Sequence, residues 1–373
     1  MKIEPFGVEL WMNEFETKCT YNLAETCVES ITVAELLDMT GHSSSTIEDL
    51  LTLKLTYGPI EGSDRLRRAI ASLYSNQSAQ NALVTHGTIG ANSLVHQTLV
   101  SRGDRVVAIV PTYQQHYSIP ASIGAEVHQL HLKEEDNFLP NLDELKRLVT
   151  ADTKLIAVTN PNNPTGSLIE RPMWEQIVQI AREADAWLLC DEVYRGVDQS
   201  GDGASCSIAD IYEKGISTAS MSKVYSLAGL RLGWLVAPKQ VVDAVMIHRD
   251  YNTISVGMIN DYLATLALEN QQELLKRSRQ ITRENLTLLE AWVETQPLIT
   301  WVKPRSGTTC LLRCQLDMPS REFCVRLLQE TGVMLTPGSA MGMEGYVRIG
   351  FANDSEVLRK GLELVSTFLT TKT

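Results

Sequence analysis

Short apolar runs recur along the middle of the chain, each closing on polar or turn-forming residues. Arg105-Val106-Val107-Ala108-Ile109-Val110, Lys154-Leu155-Ile156-Ala157-Val158-Thr159 and Ala186-Trp187-Leu188-Leu189-Cys190 read as buried strands. Between them, residues 141–149 and 172–183 carry helical periodicity, with Pro172 as a first-turn proline. Strand, loop and helix in that rhythm predict an α/β fold with a mostly parallel sheet flanked by helices. Ligands of such sheets bind beyond the carboxyl ends of the strands. Pro111-Thr112-Tyr113, Asn160 to Gly166 and Asp191 to Tyr194 all fall there.

After Pro238 the pattern turns helical through about Glu294, predicting several helices with one bridging two domains. Residues 299–302, 309–314 and 346–351 then predict strands of a second, smaller sheet, covered by helices over 320–331 and 355–369. The expected division is an N-terminal arm with part of the small domain over 1–45, a large domain over 46–260 and a small C-terminal domain over 261–373.

At 373 residues the chain is too long for one ordinary core, which agrees with two domains. Hydrophobic residues at 44% and charged residues at 21% describe a soluble globular protein. The net charge of −12 and the lack of a basic run argue against nucleic acid. Met1-Lys2-Ile3-Glu4-Pro5 lacks the apolar stretch of a signal peptide, and no apolar run approaches the ~20 residues that span a bilayer. The seven cysteines show no CxxC pairing, and Cys310 and Cys314 have no partner set for zinc. The expectation is a reduced, cytoplasmic protein with neither metal nor membrane.

The candidate chemistry centres on Lys223, in Ser220-Met221-Ser222-Lys223, with Gly229-Leu230-Arg231-Leu232-Gly233-Trp234 behind it. Upstream lie Asn160-Pro161-Asn162-Asn163-Pro164-Thr165-Gly166 and Asp191-Glu192-Val193-Tyr194. A lone lysine is most often a solvated surface group, and Asn-Pro-Asn-Asn-Pro-Thr-Gly would turn a chain in any protein. Together they supply what pyridoxal phosphate requires. They offer an amine for the aldehyde, an acid for the ring nitrogen, donors for the phenolic oxygen and an arginine for the phosphate.

This ordered set, with Tyr57-Gly58-Pro59-Ile60-Glu61-Gly62 before it and Tyr346-Val347-Arg348-Ile349-Gly350-Phe351 after it, resembles the class I/II, fold-type I aminotransferase family. The resemblance implies a large cofactor-binding domain, a smaller C-terminal α/β domain, and pyridoxal 5'-phosphate as cofactor. It implies transfer of an amino group from an amino acid to a 2-oxo acid through a Schiff base on Lys223. By the same resemblance Asp191 pairs with the ring nitrogen, Tyr194 and Asn163 bond the phenolic oxygen, and Tyr113 stacks on the ring. Ser220, Ser222 and Arg231 hold the phosphate, helped by Gly87, Thr88 and Ile89 in Thr85-His86-Gly87-Thr88-Ile89-Gly90-Ala91, where backbone N–H groups open a helix. Ile89 has no side-chain donor, so only its backbone can serve. The stretch is not GxGxxG and gives a dehydrogenase no support. Arg348 grips the substrate carboxylate, for which a planar guanidinium is suited. Tyr57 reaches the phosphate of a neighbouring subunit's cofactor, which implies a homodimer.

The pattern departs from the family at Tyr21-Asn22-Leu23-Ala24-Glu25-Thr26-Cys27, where a glycine- and proline-rich segment is usual. Ala24 and Glu25 thereby become candidates for contact with the substrate. A Glu25 facing the pocket would favour a cationic side chain; a capping or surface Glu25 would not. Glu9, Trp11 and Glu14 lie on the same arm, and the arginine that reads dicarboxylates has only Arg249 as a candidate. The same residues also serve lyases and cyclases, including capreomycidine-type synthases acting on arginine derivatives. A non-catalytic, ligand-sensing domain is a third reading, though the segment ahead of the matched region is not basic.

Overall fold

The apolar runs build a seven-stranded sheet. The computed structural model describes residues 2–41, 43–315 and 317–372. Its large sheet contains β1 (Ala82–Thr85), β2 (Arg105–Val110), β3 (Glu126–His131), β4 (Thr153–Thr159), β5 (Trp187–Asp191), β6 (Gly215–Ser220) and β7 (Gly233–Val236). The spatial order is β1-β7-β6-β5-β4-β2-β3, and only β7 runs antiparallel to its neighbours. Continuous apolar runs are explained by packing on both faces. Val107, Ile109, Ile156, Val158 and Leu188 enter one core, whereas Val106, Leu155, Leu189 and Ile216 enter the other.

Three helices matter for the site: α1 (Gly7–Phe15), α2 (Gly87–Leu99) and α3 (Gln271–Glu294). The stretch after Pro238 resolves into Lys239–Arg249, Met258–Glu269 and α3. The second sheet is antiparallel, in the order 336–337, 346–350, 309–314, 299–301. Its core is covered by Ser320–Thr331 and Ser355–Lys372 and also takes in Trp11, Leu23 and Ala24 from the start of the chain. Tyr21–Asn22 pairs in parallel with Val333–Met334, which ties the N-terminal segment to that domain.

One helix belongs to both cores. Leu274 and Leu275 of α3 pack with Leu36, Leu66 and Trp234, whereas Leu286, Leu289 and Val293 pack with the second sheet. Between these apolar ends the Ser278 hydroxyl donates to the carbonyl of Val224 at 2.6 Å. One further stretch along, the Asn285 amide donates to the carbonyl of Asn353 at 2.8 Å. Leu263, Ala264 and Leu268, in the helix before α3, pack in the same core as Leu36, Leu66 and Trp234.

Candidate active site

The carboxyl ends of β2, β4, β5 and β6 deliver Tyr113, Asn163, Asp191 and the Ser220–Lys223 turn to one cavity of about 350 Å³. α1 and residues 24–27 close its other side. Of the residues that the family resemblance assigns to cofactor and substrate, with Ala24 and Glu25, all but Gly87 and Tyr57 line this cavity. Gly87 lies directly behind it, whereas Tyr57 is 78% exposed on the surface of its own chain.

Asp191 is buried, so its ionised form loses hydration, and burial pushes its carboxyl up to about 6. Three groups pull the other way. The Asn92 amide donates to Oδ2 at 2.9 Å, the backbone N–H of Val193 donates to Oδ1 at 3.1 Å, and Lys223 adds positive charge. His116 Nε2 stands 4.0 Å from the same Oδ2, and burial lowers this imidazole to about 4, so it is neutral near pH 7. His96 backs His116 at 3.3 Å between ring nitrogens. A cationic ring nitrogen presented to Asp191 would meet a carboxylate already oriented by neutral donors.

Lys223 Nζ lies 2.6 Å from Thr26 Oγ1 and 3.5 Å from Cys27 Sγ. Burial would drive the amine toward neutrality, but Cys27, Tyr194 and Glu25 oppose it and hold the ammonium pKa above its ordinary value. The Cys27 thiol is itself pushed up to about 11 by burial, and burial raises Tyr194. Glu25 is therefore the partner that carries charge near pH 7. Its carboxyl pKa is lowered despite burial, by Lys223 and by the backbone N–H groups of Cys27 and Thr26, which donate to Oε1 at 2.8 and 2.6 Å.

The phosphate end rests on two glycines. Gly87 opens α2 at φ +68°, and a Cβ there would come 3.1 Å from Arg231 Nη2. A Cβ on Gly233 would sit 2.3 Å from the Gly87 carbonyl carbon and 2.6 Å from the Thr88 nitrogen. The second glycine of Gly-x-Arg-x-Gly is thus the space that lets β7 approach the start of α2. Thr88 Oγ1 is buried without a partner, aside from whatever ligand the helix start receives. Ser220 Oγ accepts from the Ser222 N–H at 3.3 Å, and Ile89 contributes backbone only, its carbonyl taken by Gln115. An orphaned hydroxyl, free helix-start N–H groups and a guanidinium make a set that fits a phosphate monoester.

Arg348 is buried between the two domains. Nη1 donates to Asn163 Oδ1 at 3.2 Å, Nη2 donates to the Ala24 carbonyl at 3.1 Å, and Nε has no partner. Burial lowers its pKa, and an arriving carboxylate would relieve that cost. Asn163 Nδ2 donates to the Tyr194 hydroxyl oxygen at 3.3 Å, and the Tyr113 hydroxyl donates to Glu9 at 2.8 Å.

Some expectations move. Trp11 is buried in the second core, and Glu14 pairs with Arg321 at 2.7 Å, so neither lines the cavity. Arg249 is buried outside it, donating to the Ile60 carbonyl, which removes it as a reader of substrate acids. Thr26, Asn92, His116 and Glu16 were missed. His116 stands three residues past Tyr113 and Thr26 follows Glu25, but neither forms part of a motif. Among the described residues no cluster of His, Cys, Asp and Glu could hold a metal, and no helix is long and apolar enough to cross a membrane.

A parallel sheet that gathers a buried lysine, a buried aspartate and a phosphate turn at its carboxyl edge defines a fold-type I pyridoxal-phosphate enzyme. The chain matches the model of the class I and II aminotransferases over residues 50–365, and it belongs to that family. A crystal structure of a PLP-dependent aminotransferase from Streptococcus suis superposes with a TM-score of 0.97 at 42% identity, covering 100% of this chain and 99% of that one. The PLP-dependent cyclase OrfR superposes with a TM-score of 0.92 at 27% identity, covering 100% and 99%. Capreomycidine synthase of Streptomyces vinaceus is 28% identical over 98% of this chain and 93% of its own length.

Proposed function

We propose that the enzyme moves an amino group from an amino acid to a 2-oxo acid, using Lys223 as the proton carrier. The observation that carries this reading is Lys223 and Arg348 lining one cavity, with Asp191 beneath. Pyridoxal phosphate, when bound, supplies an aldehyde for Lys223 and a ring that accepts the electron pair left at the substrate Cα. Asp191 holds the ring nitrogen in its protonated form. Tyr194 and Asn163 serve the phenolic oxygen, and Tyr113 the ring face. Ser220, Ser222, Arg231, Gly87, Thr88 and the Ile89 backbone hold the phosphate. Arg348, with Asn163, orients the substrate carboxylate, and Lys223 takes the proton from Cα and returns it at the cofactor's C4′.

A second reading is a lyase or cyclase acting on an amino acid with a cationic side chain. Glu9, Glu16 and Glu25 line the cavity, and the three cations there already have roles in holding the aldehyde carbon, the phosphate and the carboxylate. Glu16, on the exposed rim, has its pKa raised by partial desolvation and then by Glu25 and Glu9, the condition a cation between them would relieve. The likeness to a cyclase and to capreomycidine synthase supports this reading.

A homodimer, working in the cytoplasm, completes the proposal. Leu51, Leu55, Tyr57, Tyr251 and Ile254 stand exposed, an apolar set that a second copy would cover while Tyr57 reached its cofactor.

Adding amino acids singly, without acceptor, to the purified enzyme separates the two reactions. Loss of the visible cofactor band with one oxo acid formed per site establishes transamination and names the donor. Catalytic release of ammonia or of a cyclised product, with the band restored, establishes the second reading. A Lys223→Ala variant that kept full turnover would sink both.

A further inference from the structure

The amine of Lys223 has a closer neighbour than any residue assigned so far. Thr26 Oγ1 is 2.6 Å away, on a segment pinned at several points. The Thr26 N–H donates to Glu25 Oε1, the Thr308 hydroxyl donates to the Thr26 carbonyl at 2.7 Å, and the Val28 N–H donates to the carbonyl of Lys223 itself at 3.1 Å. Gly350 packs so closely on this segment that a Cβ would fall 1.7 Å from the Glu25 carbonyl oxygen. Nothing in that arrangement lets Thr26 drift.

The hydroxyl shares its cavity with Tyr194, Asn163 and Arg348. Lys223 donates to Thr26 Oγ1. Asn163 Nδ2 donates to the Tyr194 hydroxyl oxygen and Arg348 donates to Asn163 Oδ1, which ties Tyr194 to the guanidinium expected to grip the substrate carboxylate. The other neighbours of the amine are weaker candidates. The Cys27 thiol is a poor acceptor at 3.5 Å, and the Oε1 of Glu25 is turned into its own loop.

We propose that Thr26 is a positioning residue for Lys223, its hydroxyl holding the lysine amine in place whenever that amine is not joined to the cofactor. The proposal rests on the reading of Lys223 as the proton carrier. Valine has nearly the shape of threonine but cannot hydrogen-bond, whereas serine keeps the hydroxyl and loses the methyl.

The test uses two readouts. The first is the pH dependence of Lys223 modification in the cofactor-free chain by an amine-directed reagent, followed by mass spectrometry. Thr26→Val deprives the ammonium of its acceptor, so reactivity should begin at lower pH, and Thr26→Ser should return it to the wild-type profile. The second is steady-state turnover, where Thr26→Val should lower kcat about ten- to hundredfold, the worth of one hydrogen bond to a charged group, with little change in KM. Should the valine variant fail to fold, Thr26→Ala carries the same test. A folded Thr26→Val or Thr26→Ala with the wild-type profile and kcat overturns the proposal. So does a shift that serine does not reverse, which would trace the effect to packing of the methyl group. Either result, beside an inactive Lys223→Ala, leaves the proposed function standing. An active Lys223→Ala removes the reading beneath it.

Discussion

The two walls of the cavity are built by different rules. The cofactor wall comes from strand ends of one sheet, where each reactive side chain follows a buried strand whose backbone is set by neighbours on both sides. The opposite wall comes from α1 and residues 24–27, a segment that packs on the second domain and reaches across to Lys223. One wall is held by sheet register and tolerates little change. The other is held by a few side-chain and backbone contacts and can carry different residues on the same backbone. Chemistry common to a family belongs on the first wall, and the choice of substrate on the second.

That contrast can be broken most forcefully at Asp191. Asp191→Asn removes the charge proposed to face the ring nitrogen, and turnover should fall at least about a hundredfold, the scale of losing one preorganised electrostatic group. The pH dependence sharpens this. In the cofactor-free chain Asp191 is protonated below about 6, and pairing with a cationic ring nitrogen requires it ionised. The bound state therefore holds fewer protons. Cofactor affinity should be level above pH 6 and weaken below it, by up to about tenfold per pH unit, and Asp191→Asn should abolish that slope. His116 stays neutral through this window and adds nothing to it. Cofactor titrations by fluorescence at pH 7.5 and 5.0 read the difference.

Gly233→Ala tests the same wall without touching a reactive group. Its Cβ meets the backbone of Gly87 and Thr88, so the start of α2 must shift by enough to cost about 1–3 kcal/mol. Cofactor affinity should drop about tenfold or more, while a Trp234→Phe control one residue on should be far milder at this turn. The smallest effect is expected on the second wall. Glu16 lies at the solvent-exposed rim, where a single charge contributes little. Glu16→Gln should change kcat/KM for a cationic amino acid about two- to fivefold relative to a neutral one, with cofactor affinity untouched. An equal loss for both substrates would mean that the rim does not sort them by charge.

The walls also differ in how much of them can be read from the chain. β2, β4 and β5 are legible because their apolar runs are long and end in Pro, Asn or Asp. β6, Gly-Ile-Ser-Thr-Ala-Ser, is buried throughout yet made of small and polar residues, so hydropathy does not mark it. β3 lies at the sheet edge with a half-exposed, polar sequence and is equally silent. Lys223, Asp191 and Arg231 announce themselves through neighbours close in sequence. Asn92, His116 and Thr26 act through contacts across 99, 75 and 197 positions, as in Asn92 to Asp191 and Thr26 to Lys223, and no local pattern encodes such pairings. Trp11 and Glu14 show the converse: proximity in sequence to Glu9 says nothing about which helix face meets the cavity.

The helix shared by the two cores has a metrical consequence. Ser278 grips the carbonyl next to Lys223, and Asn285 grips the chain just past the strand that carries Arg348. At 1.5 Å per residue these two marks stand about 10 Å apart along one rod. α3 thereby acts as a ruler, gauging how far Arg348, the proposed carboxylate anchor, stands from Lys223, the amine proposed to work on Cα.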